Sequence, residues 1–178
     1  MDKQTEEAYF AGGCFWCTES VFQNVKGVET VVSGYAGGNI KNPGYREICT
    51  GLTGHAELVK ITYKPDIVSY NELMKIFFAT HDPTTLNRQG NDRGTQYRSA
   101  IFYTSEDIKN VSAQFINEVA STMWDAPIVT TLEHLDVFYE AEAYHQNYYN
   151  NHTTKGYCRV VIQPKLAKFK KEFQHLLI

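Results

Sequence analysis

The sequence predicts an α/β fold: a ferredoxin-like two-layer sandwich with a split βαβ core, a mixed sheet, extra helices and long functional loops. Three observations predict it. Alternating runs and runs at helical spacing succeed one another in the order β-α-β-β-α-β with additions. The 178 residues, 43% of them hydrophobic, suit one well-cored domain spanning 1–178 rather than two. Turn formers gather between the periodic runs, densest in 36–44. Helices are expected mainly on one face of the sheet.

Residues 7–12 read as a short strand and 15–25 as a helix, with Val21, Phe22 and Val25 at helical spacing and Gly27 just past its end. A second strand follows at 28–35. The stretch Ala36-Gly37-Gly38-Asn39-Ile40-Lys41-Asn42-Pro43-Gly44 must be a loop, and it delivers Tyr45 and Arg46 to wherever it packs. Residues 56–63 alternate as a strand, and 69–80 form a helix with Leu73, Met74, Phe77 and Phe78 on one face. After a loop at 81–95 come a strand at 96–104 and a long helix at 105–123. Ser105 is its N-cap, and Ile108, Val111, Phe115 and Val119 form its core stripe. The chain continues with a strand at 128–136, a helix at 138–149, a short strand at 158–162 and a helix at 164–177 with Pro164 near its first turn.

A net charge of -3 from 17 basic and 20 acidic residues leaves no basic stripe for nucleic acid and no polybasic arm for a membrane. The N-terminus is polar and acidic, unlike a signal peptide, and no apolar run approaches the ~18 residues of a membrane span. A cytoplasmic protein is expected, a monomer, with its four cysteines as thiols.

Chemistry concentrates in Gly13-Cys14-Phe15-Trp16-Cys17, where a strand hands over to a helix. At a helix N-terminus the unpaired N–H groups lower a thiol from about 8.5 toward the thiolate, the nucleophilic form. Phe15 and Trp16 can wall an apolar pocket beside Cys14 for a small apolar group. Cys14 and Cys17 lie across one helical turn, a spacing that supports a reversible disulfide. Half of a zinc site would need a second such pair or a suitably spaced histidine pair, and Cys49, Cys158 and the six histidines supply neither, so no metal is expected. Glu57 shares strand phase with Val59, Ile61 and Tyr63, which turns its carboxyl to the apolar face; desolvation there would keep it protonated, as a general acid requires. On their own, Asp92 reads as a turn residue, and Tyr45 and Tyr97 mean little among 12 tyrosines. Glu142-x-x-His145 has di-iron spacing but no second copy and reads as a hydrogen-bonded helix pair. His55, His81, His134, His152 and His175 read as loop or surface groups.

Taken together these residues resemble the A-type peptide methionine sulfoxide reductases, from Phe10 to about Lys168. The carriers are Gly13-Cys14-Phe15-Trp16, Ser33-Gly34-Tyr35-Ala36-Gly37-Gly38, Asn42-Pro43 with Tyr45, Thr53-Gly54-His55-Ala56-Glu57, the run from His81 to Asp92, Gly94-Thr95-Gln96-Tyr97-Arg98-Ser99, and Ala143-Tyr144-His145-Gln146. The resemblance implies that Cys14 attacks the sulfoxide sulfur and that protonated Glu57 gives its proton to the oxygen. It also implies that Tyr45 and Tyr97 polarise that oxygen, that Asp92 orients the network, and that Phe15 and Trp16 hold the substrate methyl of the S epimer. The sulfenic acid left on Cys14 would be resolved by a second thiol and recycled by thioredoxin, without cofactor or metal, on oxidised proteins and peptides. Many members carry glycine in place of Cys17 and resolve with a cysteine in a Gly-rich C-terminal tail, which is missing from Gln174-His175-Leu176-Leu177-Ile178. Cys17 is therefore the first candidate for resolving, Cys158 the runner-up, and Cys49 an unreactive cysteine. Two other classes remain: a thioredoxin-type oxidoreductase, which gives Glu57 and Tyr45 no task, and a non-catalytic module that binds oxidised or methionine-rich segments.

Overall fold

The structure, a computed structural model, describes residues 4–178. In chain order its elements are β1 (Glu6–Gly12), α1 (Phe15–Phe22), β2 (Val28–Ala36), α2 (Tyr45–Cys49), β3 (Ala56–Tyr63), α3 (Tyr70–Thr80), the two-residue strands β4 (Arg88–Gln89) and β5 (Asp92–Arg93), and β6 (Ser99–Tyr103). Then follow α4 (Glu106–Phe115), α5 (Ser121–Met123), β7 (Thr131–His134), β8 (Tyr139–Glu140), α6 (Tyr148–Asn151) and α7 (Gln163–Glu172). The main sheet runs β7-β6-β1-β3-β2-β8. It is antiparallel except at β6 and β7, which are parallel, so the sheet is mixed as predicted.

β1 is a central strand and buries both faces. Ala8 and Phe10 join the larger core beneath the helices, where Phe10 stacks on Phe77 of α3 at 4.7 Å between ring centroids, while Tyr9 and Ala11 join the smaller core. The larger core gathers Val59, Ile61 and Tyr63 with Val21, Phe22, Leu73, Met74, Phe78 and Phe169. The other face combines four alanines, Ala11, Ala36, Ala56 and Ala100, with Tyr9, Leu58 and Phe102, and is covered by Leu135 and Phe138. The helices lie on the face that carries the larger cluster of apolar side chains. α3 starts where its sequence says: Ser69 accepts from the Glu72 N–H at 3.0 Å, and Glu72 returns a bond to the Ser69 N–H at 3.0 Å. Among the described residues no helix is long and apolar enough to cross a membrane.

Several predicted elements differ. Residues 138–149 are not a helix. Tyr139 and Glu140 pair with Tyr35 and Gly34 at the sheet edge, a three-residue 3₁₀ turn spans Ala143–His145, and Asn147 has a φ of 55° that stops any continuous helix. Residues 158–162 are not a strand but a π turn that runs into α7. The buried residues Cys158, Ile162, Leu166 and Phe169 recur at helical spacing, and that stripe outweighs the β-branched pair Val160-Val161, which faces outward. In the helix predicted at 105–123, another π turn at Ile116–Ala120 rotates the stripe, so Ser112, Phe115 and Ala120 are buried while Val111 and Val119 are exposed. The strand predicted at 96–104 opens as a 3₁₀ turn, Thr95–Tyr97, closed by the Tyr97 N–H on the Gly94 carbonyl at 3.0 Å. α2 and the β4–β5 hairpin lie in stretches with no predicted element.

Candidate active site

The site forms where β1 ends and α1 begins. Gly13 has a φ of +91°, and a Cβ there would meet the Gln89 side chain at 2.6 Å, so only glycine makes this turn against the β4–β5 hairpin. Cys14 follows as the N-cap residue in extended conformation, and the Cys17 N–H closes the first turn on its carbonyl at 3.1 Å. Both thiols are buried, Cys14 at 8% exposure, and both line a cavity of about 260 Å³ with Gln89, Gly90, Asn91, Asp92, Tyr157, Val161 and Lys165.

β3 brings the acid. Two residues beyond the last β1–β3 pair, Phe10 with Val59, Glu57 lies level with Gly12 and opposite Tyr35 of β2. Only 1% exposed, its carboxyl accepts the Phe15 N–H at 3.1 Å. Burial pushes it up to about 8 against that hydrogen bond, and the charges of Asp92 and Cys17 push it the same way. At neutral pH Glu57 is therefore a neutral acid. Its strand phase predicts this burial, since Val59, Ile61 and Tyr63 all enter the larger core.

The thiols divide differently from the expectation that the helix N-terminus alone lowers Cys14. Burial, then its hydrogen bond to Cys17 and the charge of Glu57, raise Cys14 well above the ordinary thiol range against the Trp16 N–H. Cys17 is lowered to about 7, first by the hydrogen bond from Cys14, with help from Lys165 and Tyr157 against its own burial and the charge of Asp92. The helix end loses because its first N–H serves Glu57 and desolvation outweighs what remains. The two thiols are coupled, so their protons belong to the pair rather than to either sulfur alone.

Tyr45 of α2 and Tyr97 of the 3₁₀ turn are half-buried phenols pushed above the ordinary range, first by burial and then, for Tyr45, by a hydrogen bond to Cys49 and, for both, by the charge of Glu57. They stay neutral donors. Asp92 of β5 lines the thiol cavity and accepts the Tyr157 hydroxyl at 2.8 Å. Phe15 is fully enclosed, its ring between Tyr35 at 5.6 Å and His145 at 5.1 Å, whereas Trp16 is half-buried and stacks on Tyr148 at 3.7 Å with planes 7° apart. The runner-up thiol Cys158 is buried in one cluster with Cys14, Cys17 and Ile162. Cys49, at the end of α2, is exposed.

Other groups at the site escape sequence reasoning. The Tyr157 hydroxyl lies 3.8 Å from the Cys17 sulfur. Buried Glu19 accepts the N–H groups of Asn147 and Tyr148 at 3.0 and 3.1 Å and so seats the ring that stacks on Trp16. Glu142 and His145 are joined by the backbone of a 3₁₀ turn, the His145 N–H on the Glu142 carbonyl at 3.0 Å, while their side chains go to other partners. The Glu142 carboxylate accepts the Tyr35 hydroxyl and the Tyr45 N–H, each at 3.1 Å, while His145 receives the Trp16 indole N–H. His55 and His81 lie in loops as expected, but buried rather than at the surface; His81 is bonded to the Phe77 carbonyl at 2.5 Å and to Ser99 at 2.8 Å. Tyr157 had a signal in its place beside Cys158; Glu19 had none, since a glutamate on a short helix ordinarily faces solvent.

Two coupled buried thiols at a helix start whose first N–H is bonded to a carboxyl kept neutral by burial are the groups of a thiol-dependent oxidoreductase. The family model described as peptide methionine sulfoxide reductase matches residues 6–177, and the chain belongs to that family of enzymes. The peptide methionine sulfoxide reductase MsrA of Nitratiruptor sp. is 55% identical over 173 residues, 97% of this chain and 99% of that one. Mxr1 from Saccharomyces cerevisiae in reduced form superposes with a TM-score of 0.80 at 33% identity, over 87% of this chain and 90% of that one. Mxr1 in complex with Trx2 gives 0.54 at 26% identity, over 83% and 87%. The activity of this family, reduction of methionine sulfoxide, is the activity of this chain.

Proposed function

We propose that this enzyme reduces methionine S-sulfoxide, in oxidised proteins and as the free amino acid, through a cysteine sulfenic acid. The Cys14 thiolate attacks the sulfoxide sulfur. Glu57 donates its proton to the oxygen, the hydroxyls of Tyr45 and Tyr97 stabilise the charge developing on it, and Asp92 orients that network. Trp16, backed by Phe15, receives the substrate methyl and so sets the epimer. Methionine leaves two electrons richer, and Cys14 keeps the oxygen as sulfenic acid. The Cys17 thiolate then attacks the Cys14 sulfur and expels the oxygen as water, and a thioredoxin-type dithiol reduces the resulting disulfide. The observation that carries this reading is Glu57, a carboxyl raised to about 8 by burial within reach of the helix that bears both thiols.

Resolution by Cys158 is a second reading, favoured by its place in the cluster that holds Cys14 and Cys17. The complex of a related Mxr1 with Trx2 supports a thioredoxin as the reductant. We also read the order β6-β1-β3-β2 as that of a ferredoxin-like sandwich, and the protein as a monomeric cytoplasmic repair enzyme working without cofactor or metal. Turnover with resolved methyl sulfoxide epimers, using thioredoxin and then dithiothreitol, tests the proposal. Activity on the R epimer alone, or reduction of insulin disulfides without sulfoxide turnover, refutes it.

A further inference from the structure

Fully buried His145 is hydrogen-bonded through one ring nitrogen only. The Trp16 indole N–H donates to its Nδ1 at 3.0 Å, and its Nε2 is buried without a partner among the described residues. An indole N–H can only donate, so Nδ1 must present a lone pair and the hydrogen of the neutral ring sits on Nε2. The turn that carries His145 is fastened to the sheet on both sides. Glu142 accepts from Tyr35 and Tyr45, and the Gln146 side chain accepts the Ser33 N–H and donates to the Ser33 carbonyl, both at 2.9 Å. Trp16 is thus held in two ways. Stacking on Tyr148 fixes the plane of the indole but leaves sliding and rotation within that plane cheap; the directional bond to a fixed Nδ1 removes that freedom.

We propose that His145 is a positioning residue for the substrate pocket: as the neutral ring with its hydrogen on Nε2 it fixes the Trp16 indole where that indole receives the methyl group, and protonation of His145 releases it. This rests on Trp16 being the wall of the methyl site. The ionisable groups facing the ring are Glu142 on its own turn, Tyr144 beside it at 4.0 Å between ring centroids and Tyr45 from α2 at 4.4 Å. Both phenols are neutral throughout the acid range, so Glu142 supplies the charge. Burial holds the imidazole below its ordinary range against that carboxylate. Once protonated, Nδ1 would carry a hydrogen opposite the indole N–H, two donors face to face, and the bond is lost.

The test uses the whole reduced enzyme with an N-acetylated methionine S-sulfoxide and dithiothreitol. Wild-type KM should rise on the acid side, roughly three- to tenfold, the worth of one neutral hydrogen bond, while kcat changes less. His145→Phe, which keeps an aromatic ring but removes the acceptor, should show the raised KM at every pH. His145→Asn places an amide oxygen close to the position of Nδ1; it should recover the low KM and lose its acid-side rise. Nitrogen-15 NMR of histidine-labelled wild type should show the hydrogen on Nε2, and the Trp16 indole resonance should move in His145→Phe and move back in His145→Asn. A hydrogen on Nδ1 overturns the proposal and leaves the reading of Trp16 intact. The expected NMR result with a wild-type KM in His145→Phe overturns both, since the indole would then be held yet not used.

Discussion

Replacing Glu57 by glutamine should slow the enzyme and stabilise it at once. Glutamine has the same shape, and its amide oxygen can still accept the Phe15 N–H, but it has no acid proton to give. A carboxyl at about 8 is protonated about ten to one at pH 7, so nearly all of the wild-type enzyme is in the form that the variant disables. Loss of a positioned acid lowers the single-turnover rate of methionine release by roughly 10²- to 10⁴-fold. The stability effect has the opposite sign. In the unfolded chain the carboxyl ionises near its ordinary 4.5, whereas folded Glu57 stays protonated to about 8, so the folded state holds an extra proton between those values. Stability from this group is complete below 4.5 and is lost as pH rises toward 8, at about 1.4 kcal/mol per pH unit, which comes to about 3 kcal/mol by pH 7. Glutamine does not titrate and escapes that loss. Urea midpoints at pH 5 and pH 7.5 should therefore show the variant gaining on wild type as pH rises. Single-turnover methionine release measures the rate. A rate within threefold of wild type at pH 7 would mean that Tyr45 and Tyr97 suffice; a stability difference independent of pH would refute the raised carboxyl.

Cys14→Ser should abolish sulfoxide reduction, since a serine hydroxyl stays protonated and is a poor nucleophile at sulfur; turnover near the wild-type rate would remove Cys14 from the mechanism. Cys17→Ser should release one methionine per enzyme, accumulate a dimedone-trappable sulfenic acid on Cys14, and lose multiple turnover with thioredoxin while keeping some with dithiothreitol. Peptide mapping that instead joins Cys14 to Cys158 in oxidised wild type would make Cys17 a bystander. Gly13→Ala should cost about 1–3 kcal/mol, because its φ of +91° and the 2.6 Å approach to Gln89 both penalise a Cβ, and an unchanged urea midpoint would contradict that turn geometry.

What the sequence by itself determined is whatever depends on neighbours along the chain. β3 has the predicted bounds, Ser69 and Ser105 cap the helices they precede, and Glu57 takes the phase of its strand, because alternation, capping and helical spacing are local consequences of backbone geometry. The thiol pair was legible for the same reason, as one turn of helix sets its spacing. Tertiary structure alone decided the stretch from Phe138 to Ile162. There, residues that suit a helix in isolation give up helical hydrogen bonds to pair with β2, and to place Glu142, His145 and Gln146 against partners about 100 residues away in sequence. It also decided the direction in which each thiol of the pair is shifted. That balance is set by burial, by Lys165 and Tyr157 of the C-terminal helical segment and by Asp92 of the hairpin, groups whose distance from Cys17 is fixed only when the chain folds back on itself.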